Sequence, residues 1–345
     1  MADSLVGFAT FTEQTAHGTT VFATWGLPIV PGYEQATVRL APDGGLEIRV
    51  GVQSHGQGLE TTLAQIANQV LGIDPYSVTV IHGDTSLTPY STGTYAWHSI
   101  VMAGGAVARA CQVLAERMRK MAAHHFHCRI EEVSVRDGKL WGPDSNLDFA
   151  ETGRIWYFNP EELPPDVDVG GVEAIVGYRP EQDSGAFSYS THAAVVAVDP
   201  EVGAVEILDY AIVEDCGTMV NPVIVEGQIY GGAAQGIGSA LYEEIPFDAS
   251  GEPMAVRLGD YLLPTALEVP RIRLEHMETA SPLTEFGIKG IGESGTIAPP
   301  AAIANAINDA LRPLGVEITE TPATPRRILE AITRGRAERE NEGSR

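Results

Sequence analysis

The stretch Ala36–Leu71, ATVRLAPDGGLEIRVGVQSHGQGLETTLAQIANQVL, holds a hairpin, a glycine-rich turn and a helix in succession. Ala36–Leu40 and Leu46–Val50 flank Ala41-Pro42-Asp43-Gly44-Gly45, a turn composition that joins antiparallel strands. From Leu59 the apolar residues Leu59, Leu63, Ile66, Ala67, Val70 and Leu71 recur along one helix face, and Gly72 ends it. Between strand and helix lies Gln53-Ser54-His55-Gly56-Gln57-Gly58. Glycine amides there approach a ligand closely, a helix start favours an anion, and Gln57 offers both a donor and an acceptor. The plain alternative is a glycine-rich helix start with no ligand.

The arrangement recurs further on. Ser188–Val198 and Val205–Val213 alternate around Asp199–Ala204 as a second hairpin, and Ile224–Leu241 reads as a helix whose Gly227, Gly231, Gly232, Gly236 and Gly238 permit close backbone packing. Between the two units, Ser77–His82 reads as a short strand, Asp84–Tyr95 as a polar loop, and Val101–His125 as an amphipathic helix. Helices are also expected at Ala301–Leu311 and Arg326–Thr333. The fold class that results is α+β: two mixed α/β subdomains built from β-hairpins and Gly-rich helix starts. The first spans 1–150, a surface connector 151–182, the second 183–334, and 335–345 is expected to be a disordered tail.

The chain has 345 residues, enough for about two domains. Its formal charge of −24, from 22 Lys+Arg against 46 Asp+Glu, would repel a phosphate backbone and argues against nucleic acid. No apolar run approaches the roughly 18 residues of a membrane helix. MADSLVGFATF lacks the basic and long apolar regions of a secretory signal, so a cytoplasmic location is expected. Cys111, Cys128 and Cys216, widely spaced and without a CxxC pair, support neither a disulfide framework nor a cluster held by this chain.

Two further segments carry candidate chemistry. Gly287–Thr296 contains GxGxxG as Gly290, Gly292 and Gly295, but no buried strand precedes it and an acid, Glu293, stands where a pyrophosphate would lie. A dinucleotide fold is therefore rejected, and Glu293 is either a general base or a charge at a helix start. Asp215-Cys216-Gly217, Asn221-Pro222 and Gly227–Gly238 include Gln235, which, if buried, must bond either a ligand or facing backbone. His124-His125-Phe126-His127-Cys128 is too closely spaced for a convergent metal set and reads as surface and capping residues, so no protein-held metal is expected. P-loop, HExxH and GxSxG patterns are absent.

Taken in order, the segments Gly51–Thr62, Val80–Thr85, Gly93–Tyr95, Glu214–Gly217 with Asn221-Pro222, Gln228–Gly238, Asp260–Thr265 and Lys289–Gly295 resemble the xanthine oxidase family of molybdenum hydroxylases. The likeness is to the carboxy-terminal half of the molybdopterin-binding large subunit, the second molybdopterin-binding domain type, and covers roughly Gly32–Ile332. It implies that Glu293 is the active-site base, that Gln57 and Gln235 are pterin ligands, and that Thr94, Tyr95, Ala96, Trp97, His98 and Ser99 form the loop holding the cofactor's phosphate portion. His55, Gly56, Gly58 and Gly292 complete the implied cofactor site.

The implied cofactor is molybdenum-molybdopterin in its cytosine dinucleotide form, with 2Fe-2S and FAD on partner subunits. One departure lies in the loop. Family members often carry Ser-Arg-Ser where this chain has Trp97-His98-Ser99, so an indole and an imidazole replace a compact hydroxyl and a guanidinium. The other is extent: nothing matches the family's amino-terminal half. Ala2–Pro31 reads as a natural lead into the second half, so the expectation is a split subunit completed by an amino-terminal-half chain.

The implied activity is oxidation of an aldehyde, or hydroxylation of an N-heteroaromatic carbon, with water-derived oxygen. The rival is a non-catalytic, structural or cofactor-holding partner, which the altered Trp97-His98 loop and the unmatched amino-terminal half favour and the Gly292-Glu293 segment opposes. A carbon monoxide dehydrogenase-like activity is a third reading.

Overall fold

A computed structural model describes residues 5–343, with side chains as far as 339. Strand β1 (Leu5–Thr15) and helix α1 (Thr19–Thr24) precede the expected hairpin of β2 (Glu34–Leu40) and β3 (Leu46–Val50) and the expected helix α2 (Leu59–Leu71). Gly58 and Gly72 bracket α2 at φ of 74° and 67°, left-handed positions that glycine takes without steric cost. Strand β4 (Val78–Ile81) pairs in parallel with β3. Helix α3 (Gly104–His125) follows one π-helical turn over Ser99–Ala103.

Strands β5 (Ser134–Arg136), β6 (Lys139–Trp141) and β7 (Asn146–Asp148) form a small meander, followed by α4 (Phe149–Phe158) and β8 (Glu173–Tyr178). The first large sheet has the order β4-β3-β2-β8. Helices α2 and α3 lie on it and bury Leu63, Leu114, Met118 and Met121 against Val38, Leu40 and Ile48, each worth roughly 1.5–3 kcal/mol relative to exposure.

The second unit runs through β9 (Ala186–Val198), β10 (Val205–Asp215), α5 (Pro222–Leu241), β11 (Ile272–Met277), α6 (Ser294–Ile297), α7 (Pro299–Leu311) and α8 (Pro325–Gly343). Its sheet order is β1-β9-β10-β11, antiparallel except for the β10–β11 pair. Helices α5 and α7 bury Ile229, Ile237, Ile303 and Ile307 with Val196, Tyr210 and Ile212 of the sheet. Asn221 caps α5 by accepting from Ile224 N at 3.1 Å, and Pro222 fills the first helical position, where its missing N–H costs nothing.

Several sequence expectations need correction. Residues 5–15, assigned to the first subdomain, pair along their whole length with β9 and so belong to the second sheet. The segment 151–182 is more than a connector. Asp148 and Glu151 form a reciprocal capping box that starts α4, and β8 pairs with β2 to complete the first sheet. The expected disordered tail is helical through Gly343, because α8 continues past Thr333. Residues 1–4 of the first expected subdomain and 344–345 of the tail lie outside the described residues.

Candidate active site

A cavity of about 420 Å³ opens between the two cores, walled by the turn at His55–Leu59, the loop at Thr94–Ile100, residues from Cys216 to Gln228, and Ile288–Glu293. The first wall follows directly from glycine geometry. Gly56 and Gly58 sit at φ of 108° and 74° and shape the turn without lining the cavity. His55 and Gln57 do line it. The Gln57 amide braces the turn, accepting from His55 N at 2.7 Å and donating to Gln53 O at 3.2 Å. Thr94 joins the first two walls: its hydroxyl accepts from Gln53 N at 2.8 Å and donates to Gln53 O at 2.7 Å.

The second wall carries unusual backbone. Ala96 and Trp97 are both left-handed, at φ of 48° and 56°, a conformation that costs a non-glycine residue roughly 1–2 kcal/mol. Ala16 N donates to Ala96 O at 3.0 Å and pins this bend to the end of β1. Tyr95, Ala96, Trp97 and Ser99 line the cavity, and the Ser99 hydroxyl is buried without a partner. His98, placed with them by the sequence reading, does not. Its ring turns behind the loop, where Nε2 lies 3.4 Å from Glu34 Oε1 and the Tyr95 ring packs edge-on at 4.3 Å. The bend that brings Trp97 to the cavity side points the next side chain into the core.

The third wall corrects a second expectation. Gln235 is exposed on α5 and away from the cavity, whereas Gln228, two turns earlier, lines it. The cause is packing: the start of α5 faces the cavity, from Ile229 onward the helix meets α6 and α7, and Gln235 lies on the side left exposed. Gln228 makes no side-chain hydrogen bond among the described residues. Its signal was the segment Gly227-Gln228, in which it is the other amide of the same glycine-rich helix.

The fourth wall holds Glu293 and Gly292. Helix α6 meets α5 through glycines: a Cβ on Gly295 would fall 2.3 Å from Ile229 O, and one on Gly232 2.9 Å from Gly295 Cα. This close approach fixes residue 293 at the cavity rim. Glu293 occupies the cap position of α6, but its side chain bonds no helix amide. Instead the Trp97 indole Nε1 donates to Glu293 Oε2 at 2.5 Å. Glu13 lies nearby, its carboxyl raised by burial and by the Glu293 charge. The indole donor and Glu13 both went unread in the sequence; Trp97 stood out only as an indole where the family carries polar residues.

Behind Glu293 is a buried ionic cluster. Ser294 Oγ donates to Glu214, whose carboxyl burial pushes up to about 7. Burial works against ionised Asp215 too, but Lys289 Nζ at 2.7 Å, Thr279 and the Gly217 amide hold it at about 2. The Lys289 ammonium also lies 4.3 Å from the Tyr189 ring centre. Cys216 lines the cavity as a neutral thiol, pushed to about 12 by burial and the adjacent carboxylates. His124 and His125 end α3 remote from the cavity, and among the described residues no group of three or more His, Cys, Asp and Glu converges as a metal site.

The family model described as "Molybdopterin cofactor-binding domain" matches residues 6–270. The nicotine 6-hydroxylase large subunit of Paenarthrobacter nicotinovorans is 36% identical over 331 residues, 94% of this chain and 40% of that protein. The carbon monoxide dehydrogenase large chain of Hydrogenophaga pseudoflava is 33% identical over 95% of this chain and 40% of its own length. Among solved structures, quinoline 2-oxidoreductase from Pseudomonas putida 86 superposes with a TM-score of 0.88 at 40% identity, covering 96% of this chain and 42% of that one. The chain thus spans about two fifths of the length of the curated relatives it matches. On this match the chain belongs to the molybdopterin cofactor-binding domains of the xanthine oxidase family of molybdenum-dependent oxidoreductases.

Proposed function

We propose that this chain is one half of the catalytic unit of a molybdenum hydroxylase, with Glu293 as its general base. The observation that carries the reading is the meeting of Glu293, the Gly56–Gly58 turn and the free amide of Gln228 at one cavity. The site suits a flat heterocycle edged with donors and acceptors. Gly292 lines the cavity with no atom nearer than 4.0 Å to where a Cβ would lie, so backbone there is open to close approach. Gln228 and the unpartnered Ser99 hydroxyl supply polar contacts, and Ile224, Met219 and Ile291 supply apolar wall.

The cavity lacks a guanidinium, and its lysine is engaged by Asp215. Phosphate groups of a cytosine dinucleotide form would therefore rest on the backbone amides and hydroxyls of Thr94–Ser99, which need no cationic side chain. When bound, the molybdenum pterin supplies the redox centre and the water-derived oxygen. Glu293, at a position open to the cavity, would accept the proton that this chemistry releases. Glu214, whose carboxyl burial raises to about 7, is neutral below that pH and there spares this carboxylate a second negative charge behind it.

The names of relatives, nicotine 6-hydroxylase and quinoline 2-oxidoreductase, favour an N-heteroaromatic substrate over an aldehyde. The matched relatives are more than twice as long as this chain, so the rest of the catalytic unit is supplied by sequence outside this stretch, and electrons leave through 2Fe-2S and FAD subunits. An exposed apolar segment supports a large partner: Phe247, Met254, Val256, Leu258, Leu262 and Leu267 face outward, with Leu258 83% and Leu267 93% exposed. No helix among the described residues is long and apolar enough to cross a membrane. The assembly is assigned to the cytoplasm.

Metal and flavin analysis of the tagged chain purified from cells that make it tests the reading. Molybdenum, iron and FAD recovered with the chain support it. A metal-free and flavin-free homo-oligomer would replace it with a structural role.

A further inference from the structure

We infer that Trp97 is the positioning residue of Glu293, and that the 94–99 loop serves as the back support of the base. This rests on the reading of Glu293 as the base. The indole N–H engages Oε2 at 2.5 Å, while Oε1 takes no hydrogen bond among the described residues. A charge-assisted N–H···O contact of this kind both orients a carboxylate and leaves its second oxygen for the proton. Because Glu293 is exposed and only precedes a four-residue helix as its cap, it has little packing of its own to hold one rotamer. The indole supplies what packing does not.

Three independent features place that indole. Trp97 is 9% exposed, so it is wedged rather than free to swing. Its left-handed backbone, shared with Ala96, persists only where surrounding contacts over-determine it, and the Ala16–Ala96 bond is one such contact. Gly290 is the other: a Cβ there would lie 2.3 Å from Trp97 Cβ and 2.5 Å from Trp97 O, so the absence of a side chain at 290 makes the room. A backbone this strained, cleared by a glycine and ending in a single donor on Glu293, is accounted for by positioning. It also answers the departure at 97–98, where an indole replaces a polar residue and points to the base.

The test is an NMR spectrum of the full chain with ¹⁵N-labelled tryptophan, which shows four indole N–H signals, from Trp25, Trp97, Trp141 and Trp156. Trp97→Phe assigns the relevant signal. In Glu293→Gln the Trp97 indole proton is expected to move upfield while the other three stay in place, which also reports that the variant is folded. Gly290→Ala, which displaces the indole from the other side, is expected to move the same signal. If the Trp97 signal does not respond to Glu293→Gln, the contact is absent and the inference fails. The base reading fails separately: a Glu293→Gln enzyme that moves the indole signal yet keeps full turnover would show a hydrogen bond to a carboxylate that is not the base, and would overturn the positioning role with it. Loss of turnover with an unmoved indole would keep the base and remove Trp97 from its support.

Discussion

Replacing Glu214 with glutamine is predicted to stabilise the chain, and to do so more strongly as pH rises. Glu214 is fully buried at the end of β10, accepts from Ser294 Oγ, and has no partner at Oε1. Burial is the largest influence on its carboxyl, which rises from 4.5 to about 7 despite the hydrogen bonds from Ser294 and Ser190. Below 4.5 the group is protonated in both folded and unfolded chains and costs nothing. Between 4.5 and 7 the unfolded chain releases a proton that the folded chain keeps, so stability falls as pH rises. Above 7 the full penalty applies, roughly 3 kcal/mol.

Between about pH 5.5 and about pH 8.5 the penalty grows by about 2 kcal/mol. Glutamine stays neutral at both and still offers an oxygen to Ser294. Urea unfolding of the wild type and Glu214→Gln at these two pH values is expected to show the variant's advantage widening by that amount. An advantage independent of pH would mean that Glu214 ionises normally in the fold and that the base has an anionic neighbour after all.

Lys289→Met strands Asp215 in the core, since the pair is 2.7 Å apart with side chains 4% and 1% exposed; unfolding should then come about 3–5 kcal/mol earlier. Adding Asp215→Asn should restore part of that loss in the same unfolding experiment. Gly295→Ala pushes a methyl to 2.3 Å from Ile229 O and forces α5 and α6 apart, a cost of roughly 1–3 kcal/mol in urea unfolding. Gly227→Ala has no atom within 4 Å of its new methyl and should raise the chain's stability by up to about 1 kcal/mol through helix propensity, so the two substitutions in neighbouring glycine-rich stretches have opposite signs.

The elements with strong local signals were readable in advance. The hairpin around Ala41–Gly45, the helix between Gly58 and Gly72, and the second hairpin around Asp199–Ala204 appear where turn composition and periodicity place them. What escaped the reading depends on partners distant in sequence. β1 lacks a clean alternation and becomes a strand because β9 offers a full-length edge, 181 residues away at the Thr10–Thr191 pair. β8 likewise exists through β2.

The site shows the same division. That Glu293, the Gln57 turn and the 94–99 loop belong together was legible from the family resemblance that the ordered motifs carry, since each segment alone left a plain structural reading open. Which glutamine of α5 meets them was not, because it depends on where α6 and α7 cover that helix, and Gln228 rather than Gln235 faces the cavity. His98 turned inward for an equally non-local reason: Glu34, buried and with one oxygen unpartnered, lies on the other side of the loop.

The central claim is that Glu293 moves the proton. The measurement that tests it most directly is the turnover of the assembled complex carrying Glu293→Gln, compared with wild type at equal molybdenum content and with quinoline and nicotine as probes. The amide cannot accept a proton, so turnover is predicted to fall by about a hundredfold or more while molybdenum is retained. Turnover near the wild-type rate at full molybdenum occupancy would contradict it.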